Sequence, residues 1–369
     1  MMKRILLSAA LMSFAAAASA QNYYVDAQNP DMLRFGDYRE PVRKEVVLPC
    51  QVGEYNVYKS DLHTHSVYSD GSVTPQFRVK EAWLEGLDVI AVTEHIEYRP
   101  FENEFGEYLH ADLKKDRDLN AAVKLAQREG AYWDVFIIPG TEITRDGTTV
   151  GHFNALFTQD NNKVYDDDPV QAIRNAKAQG ALVMHNHPGW WRTSIDFTEA
   201  EKIAYGEGLI NGVEVMNYNE FYPGIIDRVQ ERGLFIAANT DIHASSAEDF
   251  NKYEYMRPMT LIFATDRTEA GLREALEAGR TLAFGFNTLC GSEQLLVDFF
   301  KASVSVKKLS DKACMLTNET DVPYIIQFGD ANPVHLAPFS TIRLEGSLEF
   351  KVLNMFCGKD SHPVVMLSY

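Results

Sequence analysis

Cysteine is scarce, and no two cysteines sit close enough in sequence to grip an ion together. Cys50, Cys290, Cys314 and Cys357 are scattered without CxxC spacing, which excludes a zinc knuckle and a dithiol redox motif. Cys314 with Cys357 is the pair to test for a disulfide, against the alternative of buried free thiols. Positive charge is also short: 35 Lys and Arg against 52 Asp and Glu leave a formal charge of −17. Gripping a nucleic-acid backbone takes a basic patch, so no nucleic-acid polymer is expected as a partner. Beyond residue 20 there is no apolar run long enough to span a bilayer, and no internal repeat or low-complexity tract.

What is present begins with an export signal. Lys3 and Arg4 precede an apolar run from Ile5 to Ala18, and Ala18-Ser19-Ala20 is a small-residue cleavage site before Gln21. The expectation is a periplasmic or extracellular protein with no membrane span after cleavage. The 369 residues leave room for one large α/β barrel, or for a barrel with a small appendage.

After a polar lead over 21–56, short apolar runs alternate with amphipathic stretches, the pattern of βα units. Strands are expected at Tyr58 to His63, Val89 to Thr93, Val135 to Pro139, Ala181 to His185, Gly212 to Asn217, Leu234 to Asn239 and Thr260 to Ala264. Helices are expected at Pro75 to Leu84, Leu113 to Arg128, Pro169 to Gln179, Gly224 to Glu231 and Glu269 to Ala278, with Gly130, Gly180, Gly233 and Gly279 closing helical stretches. The barrel is placed at 57–292. From about Leu295 the pattern turns to alternating runs with no clear helix, a C-terminal antiparallel β-module over 293–369.

Chemistry concentrates where these strands end. His63 and His65 in Asp61-Leu62-His63-Thr64-His65 share a side if the strand alternation continues, and Asp70 follows on a turn. Alone, an HxH is more often a pair of surface histidines. Here His95, Glu142, His152, His185, His187, Asp241 and His243 stand at or beyond later strand ends, and seven of the ten histidines fall in these segments. A shared strand-end edge is where barrel active sites form. Imidazole with carboxylate suits Zn, Mn or Fe, whereas Ca and Mg call for oxygen ligands almost throughout.

The motifs Asp61-Leu62-His63-Thr64-His65-Ser66 with Ser69-Asp70-Gly71, Thr93-Glu94-His95, Gly140-Thr141-Glu142-Ile143-Thr144 with Gly151-His152, His187-Pro188 and Thr240-Asp241-Ile242-His243 resemble the PHP (polymerase and histidinol phosphatase) superfamily over about Asp61 to Ala283. Thr93 to Pro100, Gly151 to Phe157 and the β-rich tail look like an exported phosphodiesterase-type branch. The resemblance implies a distorted (β/α)7 barrel carrying two or three divalent transition-metal ions. Carried over by motif, His63, His65, Glu142 and Asp241 would hold the first ion, Glu142 would bridge to a second held by His152 and His187, and Asp70, His95 and His243 would hold the third. His187 matches the family histidine better than His185, which would then support the ligands or face substrate. Glu94 departs from the aspartate usual before the second-strand histidine. His110, His335 and His362 match nothing in the pattern.

The expected chemistry is hydrolysis of a small-molecule phosphoester, diester or monoester, by water activated between ions that share Glu142. Glu142, Asp241 and His185 are candidate catalytic groups. Arg99 and Arg192, with Arg145 behind them, are candidates to neutralise the phosphoryl oxygens. Trp190, Trp191, Tyr218, Phe221 and Tyr222 could wall a pocket for an apolar alcohol or base. The competing expectations are a metal-dependent amide or carboxylic-ester hydrolase and a metal-retaining binding protein without turnover.

Overall fold

The computed structural model describes residues 23–25, 28–35, 41–102, 117–250 and 255–368. The export signal, His110 and residues 113–116 of the expected second helix lie outside the described residues. No described helix is long and apolar enough to cross a membrane. The chain divides into two compact units, up to Val42 and from Arg43 onward. The first holds an antiparallel pair, β1 Tyr23–Val25 and β2 Leu33–Phe35.

In the second unit the apolar runs become β3 Gln51–Val52, β4 Tyr55–Asp61, β5 Val89–Val92, β6 Phe136–Ile143, β7 His152–Leu156, β8 Leu182–Asn186, β9 Gly212–Asn217, β10 Glu220–Phe221, β11 Phe235–Asn239, β12 Met259–Ala264, β13 Thr281–Gly285 and β14 Thr288–Cys290. β4 to β9 lie side by side in chain order, and β11 adds to β9. Within this set β7 runs against β6 and β8, which is the distortion of the barrel. Side chains close the gap between β11 and the β12–β13 pair. The Thr260 hydroxyl binds both the amide and the carbonyl of Ala238, each at 3.0 Å, and the Thr281 hydroxyl does the same at Ile236. β12, expected among the barrel strands, is one of them and adds Ile262 and Ala264 to the interior, but it runs antiparallel to β4.

Strand alternation divides the core. On β5, β6, β8 and β11, residues Val89, Ala91, Ile138, Leu182, Met184, Phe235 and Ala237 fill the barrel interior. Their neighbours Ile90, Val92, Ile137, Val183 and Ile236 pack outward. Outer cover comes from α1 Pro75–Leu84, α2 Ala121–Trp133, α3 Pro169–Ala178, α4 Glu199–Gly206, α5 Gly224–Arg232, α6 Ser246–Phe250 and α7 Glu269–Glu277. Thr74, Asp168, Thr198 and Thr268 cap four of these through side-chain oxygens, and Pro75 and Pro169 open two of them.

Two expectations shift here. α2 begins at Ala121 and runs on through Gly130, which is helical rather than a terminator; a Cβ there would meet the Ile137 side chain and the Val135 carbonyl at 2.6 Å. The left-handed end residue is Asp134, at φ 57°. Also, residues 293–303 form a helix, α8 Glu293–Ser303, capped by Ser292 and burying Leu296, Phe299 and Phe300.

Beyond α8, β15 Val304–Ser310, β16 Ala313–Asn318 and β19 Thr341–Glu345 form one antiparallel sheet, while β18 Val334–Leu336, β17 Tyr324–Gln327, β20 Glu349–Val352 and β22 Val364–Met366 form another. β21 Met355–Phe356 returns to pair with β14. All four cysteines are free thiols, so the Cys314–Cys357 pairing is not made.

Candidate metal centre

The cluster is built around Glu142, fully buried at the end of β6. It follows Ile138 and Gly140 in the inward phase of that strand, so regular alternation delivers it to the barrel axis. One carboxylate oxygen, Oε1, lies 3.5 Å from His63 Nε2, 3.3 Å from His152 Nδ1 and 3.9 Å from His187 Nε2. The other, Oε2, lies 2.5 Å from His95 Nδ1 and 3.7 Å from His65 Nε2. Asp241 Oδ1 is 3.2 Å from His63 Nε2 and 3.0 Å from His65 Nε2. On the far side, Asp70 Oδ1 sits 3.3 Å from His95 Nε2 and 3.1 Å from His243 Nε2.

Three groups emerge among the described residues: His63, Glu142 and His187; His63, His65 and Asp241; and His65, Asp70, His95 and His243. Within each, one ligand atom per residue lies within 4.8 Å of the others. The nine residues singled out as metal ligands thus meet in one place. Their partition differs in that His65 also joins Asp70, His95 and His243, and His152, which faces Glu142 and the His187 ring, falls outside the three groups.

The donor set fits divalent cations on two grounds. His63 Nε2, His65 Nε2 and Asp70 Oδ1 are buried without a hydrogen-bond partner, which protein interiors avoid unless something else is bound. Second, buried carboxylates and imidazoles are packed so closely that each sets the protonation of the others. Burial, reinforced by His95 and His243, drives His65 down to about 3. Burial and then His152 drive His187 to about 3 as well. Glu142, despite burial, is held well below the usual carboxylate range by His95, His63 and His152. Against their burial, the carboxylates raise His95 to about 10 and raise His63 and His243 as well, so protons on these rings balance the buried carboxylates, and a divalent ion taking the same nitrogens would replace them.

Outer partners fix which ring nitrogen faces the cluster. His63 Nδ1 lies 2.9 Å from Glu214 Oε1, His152 Nε2 lies 2.7 Å from the Arg145 carbonyl and His243 Nδ1 lies 2.7 Å from the Asp241 carbonyl. Glu214 also accepts the His187 amide at 2.8 Å and the side-chain amides of Asn217 and Asn239 at 2.9 Å each. Reading by motif missed it. Its signal was a single acid inside the otherwise apolar run Gly212–Asn217. Glu214→Gln is expected to lower metal affinity about 10- to 100-fold without unfolding the barrel, as read by competition with a chelator of known affinity.

Other motif residues hold loops. Glu94 accepts from the Ser66 amide at 3.1 Å and from the Ser69 hydroxyl at 2.5 Å, so the departure from aspartate serves the turn that carries Asp70. At Gly71 a Cβ would meet Ser66 and His65 backbone at 2.9 Å, which only glycine avoids. Arg78 donates to the carbonyls of His65 and Ala244, tying the first ligand segment to the last.

Several expected site residues lie elsewhere. His185 is in the outward phase of β8, with Nε2 2.9 Å from Glu201 Oε1 and Nδ1 3.0 Å from the Tyr205 hydroxyl. The inward neighbour Asn186 donates instead to Glu142 at 2.9 Å. His185 and His187 do not share a side as alternation would have it: β8 ends at Asn186, and His187, at φ 23°, turns back to the cluster. Accordingly His187→Ala is expected to lower bound metal, while His185→Ala leaves stoichiometry intact by elemental analysis. Arg99, Arg145 and Arg192 are each engaged by a carboxylate of the chain, Glu102, Glu97 and Glu201 respectively, as buried cations require. Arg192 further donates to the Gly147 carbonyl at 2.5 Å. Of the aromatics, Trp190 flanks His152 and His187, Tyr222 lies close to Gly189, Tyr218 meets Phe250 and Phe221 meets Phe356. His335 is exposed, and His362 bonds the Met355 carbonyl.

A distorted barrel with clustered His, Asp and Glu at its strand ends defines a metal-dependent hydrolase. No protein-family model matches the sequence. The chain is similar to a solved two-domain protein from Bacteroides vulgatus containing a predicted PHP-like metal-dependent phosphoesterase, at 32% identity over 90% of this chain and 100% of that one, with a TM-score of 0.81. It is also 24% identical over 212 residues to an uncharacterized protein of Methanocaldococcus jannaschii, covering 54% of this chain and 88% of that protein. The chain belongs to the PHP-like metal-dependent phosphoesterases.

Proposed function

We propose that the protein is an exported phosphoesterase that hydrolyses small phosphodiesters or phosphomonoesters with two or three bound Zn, Mn or Fe ions. The observation that carries this reading is the convergence of three carboxylates and six imidazoles on one pocket. When bound, such ions supply Lewis acidity and lower the pKa of water toward neutrality. His63, His65 and Asp241 with Glu142 would hold one, Glu142 with His152 and His187 a second, and Asp70, His95 and His243 a third.

The chain itself contributes a charge of −3 at the cluster, from Asp70, Glu142 and Asp241. Glu214 behind His63 adds a fourth negative charge; three divalent ions exceed this total, so the fully loaded site attracts an anionic ester over a neutral amide. Asn186 and Glu214 orient the ligands, and burial keeps bulk water from the Glu142 side of the pocket. Export rests on the leader up to Ala20, and N-terminal sequencing of the secreted protein should begin at Gln21.

The test is elemental analysis of the native protein, followed by a panel of phosphodiesters, phosphomonoesters and carboxylic esters with that metal restored. At least one equivalent of transition metal and turnover of phosphoesters are expected. Turnover of carboxylic esters alone would reassign the enzyme to acyl chemistry. Full metal with no turnover of any ester would make it a binding protein.

A further inference from the structure

The segment after His187 holds two indoles against the metal centre. Trp190 lies with its ring 5.4 Å from that of His152 and 5.3 Å from that of His187. Trp191 stacks face to face on Trp190, the rings 4.5 Å apart and within 13° of parallel. Yet Trp191 is 78% exposed.

This arrangement is built at a cost. Trp191 adopts φ 55°, a left-handed backbone that a bulky L residue takes only where its surroundings impose it. Backbone bonds from the Trp190 amide to the His187 carbonyl at 2.9 Å and from the Arg192 amide to the Gly189 carbonyl at 3.0 Å impose it. Arg192, tied to Glu201 and Gly147, anchors the far end. Gly147 leaves space for the inner indole, since a Cβ there would meet the Trp190 ring at 3.0 Å. A lone exposed indole is ordinary; one held in a left-handed backbone and stacked on the ring beside two ligand histidines points to a task.

We infer that Trp191 is a specificity-determining residue: its free face stacks a planar aromatic group, an aryl ring or a nucleobase, on the alcohol side of a phosphoester bound at Glu142, His152 and His187. The inference rests on the phosphoester reading above and names its substrate class. The geometry sets the occupant. The indole pair begins one ring contact from two ligand histidines, so a group joined to the bound phosphoryl by a short linker meets the stack. Stacking also suits the local charge: the paired arginines Arg99, Arg145 and Arg192 leave recognition of the alcohol to apolar contact.

The test compares Trp191→Ala and Trp191→Phe with the parent protein, in metal-loaded form, on aryl and methyl phosphodiesters with the same scissile group. Trp191→Ala is expected to lower the preference for the aryl ester, as a ratio of kcat/KM values, by about 10-fold or more through a raised KM, with methyl ester turnover little changed; Trp191→Phe should restore most of the preference. Independently of turnover, phenyl phosphate should quench tryptophan fluorescence in the parent and not in Trp191→Ala, whereas inorganic phosphate should quench neither. Equal losses on both esters would make Trp191 merely structural and overturn the inference. So would a Trp191→Ala effect on oligomeric state with selectivity intact, which would assign the indole to an interface between copies. Absence of phosphoester turnover and of phosphate binding in the parent would sink the phosphoester reading itself; turnover without aryl discrimination would sink only this one.

Discussion

Replacing Glu142 with alanine is expected to strip the protein of transition metal and to lower turnover by more than about a thousandfold. Removing only an outer partner of a ligand costs about 10- to 100-fold, and Glu142 is itself a buried anionic ligand whose two oxygens face members of all three groups. Its Oε1 faces His63, His152 and His187, while its Oε2 faces His95 and His65. Glutamine keeps the shape but not the charge, so Glu142→Gln should retain the fold and still lose metal. Elemental analysis beside circular dichroism separates the two effects. Retention of full metal by Glu142→Ala would show that the ions, if present, sit elsewhere.

The largest expected loss of stability follows from Arg257→Ala. Asp61, which opens the first histidine motif, is fully buried and is not a ligand. It accepts the amides of His63 and Thr240 at 3.2 Å each, and its counter-charge is Arg257, which also pairs with Glu85. Removing the guanidinium leaves a buried carboxylate uncompensated, a change that costs about 3–5 kcal/mol. Lysine should not restore the loss, because one ammonium cannot fork between two carboxylates as Arg257 does. Urea unfolding measures the shift in midpoint. A change below about 1 kcal/mol would mean that water already screens Asp61.

The apolar runs placed β5, β8, β9 and β11, because burial on both faces leaves them almost continuously hydrophobic, but β7, β13 and β14 were not among the expected strands. The ligands were readable for a related reason: no core explains an acid or imidazole at the end of such a run. Less visible was anything that depends on phase or on partners. His185 and His187 look alike in sequence, and a backbone angle at one residue separates them. Arg99 and Arg192 carry the charge a phosphate would want, but Glu102 and Glu201, which claim them, lie three and nine positions later with nothing to mark the pairing. The helix α8 was hidden by its junction: Leu296, Phe299 and Phe300 have helical spacing, yet β15 starts at the next residue after Ser303, so two periods overlap.

Three neighbouring strands, β8, β9 and β11, are followed by His187, Tyr218 and Asp241 at φ 23°, 50° and 53°. Left-handed backbone costs an L residue roughly 1–2 kcal/mol, and glycine or asparagine would relieve it. His187 and Asp241 cannot accept that relief, because their side chains face the cluster. Tyr218, outside the three ligand groups, can. Sequence drift toward a firmer rim is therefore open at one of these corners and closed at the other two, and selection for heat tolerance would find its gain at Tyr218 before it reached the residues beside it.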